Sequence, residues 1–278
     1  MIANARMYAV SAAAAEFWRQ LFLSVAKRSG VALEVIEHAP PAPIAELWER
    51  ADKAAVFMCG LPYSRAVPRP QLLVAPVPAA RDFNGKAEYW SEFVVRVESR
   101  YQTLADTWGT RIAFTTPESQ SGFAAPLRYL SREAGPRPLY AELIAPQLTP
   151  VGAINAVVDG IADVAPIDSY ALLLMSQFQP ALVSQVRSIA RTQARPIPPL
   201  VASNASPDAL VRVFLAAHET PAMRDRMTHL LLSHFERVEP RSYDVFRAEF
   251  EETLQYWFTH RFALHVDEAF VPILGGTQ

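Results

Sequence analysis

The stretch that decides the fold is "RIAFTTPESQSGFAAPLRYL", Arg111 to Leu130. A β-branched and aromatic run halts at Pro117, two serines then flank Gln120, and Gly122 opens an apolar helix. A strand that hands over to a helix through small hydroxyl and amide residues has one property of chemical interest. The first amides of a helix have no intrahelical partner and carry partial positive charge. Ser119, Gln120 and Ser121 add side-chain donors there, and Gly122 lets backbone approach a guest without a Cβ between them. Such a turn suits the oxygens of a phosphate, phosphonate, sulfonate or carboxylate. A second reading stands beside it: Ser119 or Ser121 caps its own helix, as serines commonly do.

Strand and helix alternate on both sides of this turn. "ARMYAVS" (5–11) reads as a strand, and Ser11 as the N-cap of a helix over 12–28 that closes at Gly30. "ALEVIEH" (32–38) and "AAVFMCG" (54–60) read as strands separated by a helix from Pro43, and "QLLVAPV" (71–77) and "EFVVRVE" (92–98) are strand-like. A helix "TLADTWG" (103–109) precedes the central turn. After it come strand 141–148, helix 151–162, strand 163–168, helix 170–178 and strand 186–192. Ser206-Pro207-Asp208 signals a further helix start, and from there to about Phe262 the pattern is mostly helical. Strands spaced by helices predict an α/β protein whose sheets are mixed or parallel-rich and flanked by helices.

With 278 residues, 51% apolar and 19% charged, the chain can bury a core of one large domain or two ordinary ones. A net charge of −2 points to no nucleic-acid or membrane-surface partner. The single cysteine, Cys59, excludes an internal disulfide and reads as a small buried residue. Neither a signal-peptide core nor an apolar run long enough to cross a bilayer is seen, so no membrane insertion is expected. The compartment reads as periplasmic if an export signal has been removed, and otherwise cytoplasmic. Twenty-three prolines against ten glycines mark rigid connections, among them Pro40, Pro68 and Pro196. The segments 83–90 and 195–203 read as hinges. They divide the chain into a discontinuous first lobe, 1–88 plus 201–278, and a second lobe, 89–200, with a small-molecule cleft between them.

Several segments together are similar to the phosphonate-type substrate-binding proteins of ABC importers, a branch of the type II periplasmic binding proteins. "TLADTWGTRIAFTTPESQSGFAAPLRYL" resembles that family's anion-loop segment, which often reads Ser-Thr-Ser-Gly at its turn. "ARMYAVS" resembles its first strand, "FMCGLPYS" its Cys-Gly-x-Pro segment and "EYWSEFVVR" its tyrosine-bearing crossing strand. "INAVVDGIADVAPIDSYAL" resembles the helix-strand segment that follows, and the likeness runs from Met7 to about Ser203. The resemblance implies a two-lobed fold with two interdomain crossings, closing by a hinge over a small anionic ligand, with an ABC permease as partner and no cofactor. It further implies that Ser119, Gln120, Ser121 and Gly122 hold the anionic head. Tyr89 would form a wall, Asp168 would stand at the cleft edge, and Tyr8, Ser11 and Tyr63 would face the cleft from the other lobe. Gln120 stands where the family often has threonine, and Pro150 where a histidine often precedes the helix, so a basic contact is missing.

Other constellations carry less. Asp163 and Asp168 are an odd number of residues apart, so Asp163 is expected to start its strand and Asp168 to end it. Asp168 is then either a cap of the next helix or a ligand contact. His229 with His234, and His260 with His265, are five residues apart and off a common helical face, unlike a zinc pair. Tyr256, Trp257 and Phe258 read as packing. No phosphate loop or nucleophile elbow occurs. A non-catalytic binding protein is therefore expected. The alternatives are an enzyme on the same fold, like those of menaquinone or thiamine-pyrimidine synthesis, and a cytoplasmic ligand sensor.

Overall fold

The computed structural model describes residues 1–133, 139–203 and 208–260, with side chains described at 1–132, 139–203 and 208–256. In chain order the strands are β1 (Ile2–Asn4), β2 (Glu34–Val35), β3 (Lys53–Phe57), β4 (Gln71–Pro78), β5 (Glu88–Tyr89), β6 (Ser91–Arg96) and β7 (Arg111–Ala113). They continue with β8 (Glu142–Ile144), β9 (Ala165–Asp168), β10 (Val186–Arg191), β11 (Arg195–Pro196), β12 (Leu200–Ala202) and β13 (Leu232–Glu236). The helices are α1 (Ala12–Ser29), α2 (Ile44–Glu49), α3 (Gly60–Arg65), α4 (Ala125–Glu133) and α5 (Pro150–Val158). After them come α6 (Ser169–Phe178), α7 (Pro180–Val183), α8 (Asp208–Leu215), α9 (Pro221–His229) and α10 (Asp244–His260).

Two compact units result. The first holds Met1–Tyr89, Leu173–Phe178 and Arg195–Asp244; the second holds Trp90–Leu172, Gln179–Ala194 and, among the described residues, 245–260. The chain changes unit at 89/90, on either side of Leu173–Phe178, at 194/195 and at 244/245; the first of these falls within the segment 83–90 and the 194/195 change at the start of the segment 195–203. Two pieces fall on the opposite unit from the expected boundaries. Leu173–Phe178 joins the first unit, where the Phe178 ring meets Phe17 at 5.9 Å. Residues 245–260 join the second, where Arg128 pairs with Glu249 at 3.4 Å and with Glu252 at 2.6 Å.

In the first unit a six-stranded sheet runs in the order β13-β4-β12-β3-β1-β2. Only β1 with β2 and β1 with β3 pair in parallel; β12 and β13 enter antiparallel. The sheet is therefore mixed, within the mixed or parallel-rich expectation, because late segments of the chain fill positions beside β4. Helix α1 covers this sheet with Ala14, Trp18, Leu21, Phe22 and Val25, all buried. Each large member of that stripe stabilises the fold by about 1.5–3 kcal/mol through burial alone. Ser11 accepts the Ala14 amide at 3.1 Å, and Gly30 ends the helix at φ +72°, as its sequence predicts.

The C-terminal third departs from its helical reading. Helix α9 stops at Leu230 and Leu231, the latter at φ +54°, and Leu232–Glu236 then lies along the edge of β4. His234 is consequently a strand residue, while His229 ends α9 and stacks on Phe17 at 4.3 Å. An open sheet edge with unpaired backbone groups outweighs helical periodicity in a run as short as "HLLLSHF". "ARMYAVS" is corrected likewise: the strand is Ile2–Asn4, and Arg6–Tyr8 forms a 3-10 turn. "TLADTWG" contributes only the turn Leu104–Thr107, closed by a capping box between Thr103 and Asp106. The Ser206-Pro207 helix start, the packing of Trp257 and Phe258, and the His260/His265 pair lie outside the described residues and side chains.

The second unit is built on β10-β6-β9, all antiparallel, with the parallel pair β7-β8 joined through a parallel bridge of Ile112 to Val164. Asp163 anchors the start of this run, accepting from the Arg111 amide at 3.1 Å and from its guanidinium at 2.9 Å. Pro150, where the resemblance looked for a histidine, opens α5 behind the Thr149 cap. Phe93, in the middle of β6, is fully buried with Tyr129 at 5.5 Å. Phe93→Ala is expected to cost about 3–5 kcal/mol of unfolding free energy in a denaturant titration. A loss below about 1 kcal/mol would show that β6 is not the centre of that core.

Candidate functional site

The central turn lies in the second unit, between β7 and α4. Its chain leaves β7 at Ala113, makes the bend Thr116–Ser119 and enters α4 through a π-helical turn over Gln120–Ala124. The wide turn is visible in its bonds: the Ala124 amide reaches back to the Ser119 carbonyl at 3.0 Å, a five-residue step. Such π turns within helices concentrate at functional positions. Ser119 caps it, its hydroxyl oxygen accepting the Gly122 amide at 2.9 Å. The capping reading thus holds for Ser119, and the Gly122 amide is spent on it. The Ser121 amide has no acceptor among the described residues, as expected for the second position of a helix.

Gly122 is required by space. A Cβ at that position would lie 1.9 Å from Thr115 Oγ1 and 2.9 Å from Ser119 Oγ. Thr115 is buried, and its hydroxyl has no hydrogen-bond partner among the described residues. Gln120 and Ser121 are buried as well, whereas Ser119 is partly exposed.

Asp168 joins this turn from β9. Its Oδ1 accepts the Tyr170 and Ala171 amides, each at 2.9 Å, and so caps α6. Its Oδ2 accepts the Ser121 hydroxyl at 3.3 Å. The carboxyl therefore caps one helix, as one of its two sequence readings has it, and touches the mouth of another. Ser91, opposite Asp168 in the β6–β9 register, donates its hydroxyl to the Ser121 carbonyl at 2.7 Å. Burial pushes the Asp168 carboxyl up to about 7, against the opposing pull of the Ala171 and Tyr170 amides and of Ser121.

The remaining sequence candidates belong to the first unit. Tyr8 is buried, its ring edge-on to Phe57 at 5.0 Å. Ser11 is the cap of α1. Tyr63, on α3, meets Tyr243 edge-on at 5.1 Å and lies 5.7 Å below the Arg69 guanidinium; burial raises its phenol. Tyr89 is buried in β5, paired with Arg195. The fold thus gathers Ser119, Gln120, Ser121, Gly122 and Asp168 around one turn. Ser91 and Thr115 join them there, and no sequence signal marked either: the first is found through strand register, the second through its contact with Gly122.

A carboxyl raised in the folded state favours folding most while protonated. That contribution is complete below the ordinary value of 3.8 and lost as pH rises through about 7. Asp168→Asn keeps an oxygen for the α6 cap and removes the buried charge. Thermal melts of wild type and variant are expected to diverge in the variant's favour between about pH 4 and about pH 7, then run parallel. A constant difference across that range would contradict the buried carboxyl.

A family model described as the periplasmic substrate-binding protein of a phosphonate ABC transporter matches residues 9–243. No curated protein matches the chain. Among solved structures, the binding-protein component of an ABC phosphonate transporter from Pseudomonas aeruginosa superimposes with a TM-score of 0.78 at 16% identity. That alignment covers 98% of this chain and 93% of that one. The PhnD1 protein of Prochlorococcus marinus, solved with methylphosphonate, gives a TM-score of 0.70 at 15% identity over 90% of this chain and 97% of that one. A chloride-bound protein of Xanthomonas citri gives 0.66 at 17% identity, covering 92% and 99%. At these identities the neighbours establish the fold, that of the two-lobed type II periplasmic binding proteins, and the family model adds the lineage: this chain belongs to the substrate-binding proteins of phosphonate ABC transporters.

Proposed function

We propose that this chain captures a small oxyanion, a phosphonate or phosphate ester, at the turn Ser119–Gly122 and delivers it to an ABC permease without chemical change. The observation that carries this reading is the Ser121 amide, left without an acceptor among the described residues at the head of a π turn with buried hydroxyls around it. Thr115, a buried hydroxyl with no partner among the described residues, supports it from beneath the turn. The helix mouth favours negative charge, and hydrogen bonds to charged oxygens gain strength once water is excluded.

In this reading the two units close over the guest by a hinge at the 89/90 and 194/195 passages, and the permease reads the closed state. Ser119 keeps a hydroxyl proton to donate, since only its oxygen is used by the Gly122 amide. Ser11 retains its proton on the same grounds. Gln120 contributes a longer amide arm, and Tyr8, Tyr63 and Tyr89 supply apolar walls with polar tips from the first unit. The family's place of work makes the periplasm the expected compartment.

Titration calorimetry against methylphosphonate, phosphate, methanesulfonate and acetate tests this. Stoichiometric binding of a phosphorus oxyanion without turnover is expected. Hydrogen bonds to charged groups are worth about 1.5–3 kcal/mol each, so Ser119→Ala with Ser121→Ala is expected to weaken binding at least about a hundredfold. Unchanged affinity in that double variant would place the anion elsewhere.

A further inference from the structure

A serine hydroxyl has one proton to give and two lone pairs. Ser121 gives its proton to Asp168 Oδ2, so toward a guest at the turn this hydroxyl presents lone pairs only. Among the described residues no neighbour relieves Asp168 of that bond: Oδ1 is held by the Tyr170 and Ala171 amides, and the Ser91 hydroxyl goes to the Ser121 carbonyl. The groups facing the carboxyl are therefore the Ser121 hydroxyl from the turn, two amides and the Tyr170 phenol from α6, and the Ser91 backbone from β6. Burial and hydrogen bonds govern its ionisation, with no charged side chain among the causes.

Resting on the reading of the turn given above, we propose that the Ser121–Asp168 pair selects oxyanions that carry their own acidic proton, the phosphonate and phosphate-ester class, over proton-free sulfonates. The pair has two arrangements. With Asp168 ionised, Ser121 donates inward and its lone pairs accept from the P–O–H of a singly protonated guest. A guest with no such proton sets lone pair against lone pair. It is held only after Asp168 takes one proton from solvent; the carboxyl O–H then donates to Ser121, and Ser121 turns its own proton to the guest. Capture of a sulfonate thus consumes one solvent proton, and capture of a protonated phosphonate consumes none. The position of the Asp168 carboxyl, near about 7, puts this difference within reach of ordinary experiments.

The test is calorimetry of the whole chain with methylphosphonate and methanesulfonate between about pH 6 and about pH 9, in buffers of different ionisation enthalpy. Methanesulfonate is expected to bind with uptake of about one proton per site above about pH 7, its affinity falling about tenfold per pH unit. Methylphosphonate is expected to bind more tightly, with no uptake while it retains its own proton. In Asp168→Asn the amide donates to Ser121 permanently, so the proton uptake and pH dependence for methanesulfonate should vanish and the gap between the probes narrow. Flat methanesulfonate affinity without proton uptake in the wild type would overturn the selection mechanism. If Ser119→Ala with Ser121→Ala still abolished binding, the turn itself would stand. Binding of neither probe would overturn the turn and this inference together. Should Asp168→Asn fail to fold, the wild-type buffer series decides by itself.

Discussion

Asp168 holds the second unit's working edge together with one carboxyl group. One oxygen starts α6 by taking two of its free amides; the other reaches the Ser121 hydroxyl at the head of the π turn. Ser91 completes the tie from the neighbouring strand by donating to the Ser121 carbonyl. Three elements that are distant in sequence are thereby fixed against each other: β6, the turn after β7, and the end of β9. The carboxyl is buried, which is costly for a charge, and its hydrogen bonds offset only part of that cost. Buried acids of this kind cluster where a protein handles protons or ligands.

The turn divides its resources between self-support and display. Ser119 spends its oxygen on the Gly122 amide, which sets the wide turn, while the Ser121 amide stays free of any acceptor among the described residues. Gly122 is glycine because Thr115 stands where a side chain would go. A helix mouth built this way is rigid before a guest arrives, and preorganised donors lose little freedom on binding. The chain's membership among phosphonate-transporter binding proteins accords with the capture role proposed for this turn.

Much of the path to this site could be read from residue order. The caps at Ser11 and Thr149, the stop at Gly30, and the strand-turn-helix over Arg111–Leu130 follow from local rules acting on adjacent residues. The helix start at Ser119–Gly122, the proposed anion turn, was legible for the same reason: a helix start is a local event set within four residues. Two changes of compact unit, at 89/90 and 194/195, fall beside the prolines and polar breaks near 83–90 and 195–203.

What local rules could not supply was decided by pairing at long range. Leu232–Glu236 is a strand because β4 offers an unsatisfied edge, a condition set some 150 residues earlier in the chain and invisible in its own pattern. Helix α10 joins the second unit, where Glu249 and Glu252 pair with Arg128, a contact across more than a hundred residues of chain. Ser91 and Thr115 became part of the site only through strand register and through the space beside Gly122. The sequence by itself determined the caps and stops at Ser11, Gly30 and Thr149 and the strand-turn-helix around Ser119–Gly122. Tertiary structure alone decided that a buried carboxyl stands behind that place, because burial and a partner 47 residues away are properties of the packed chain.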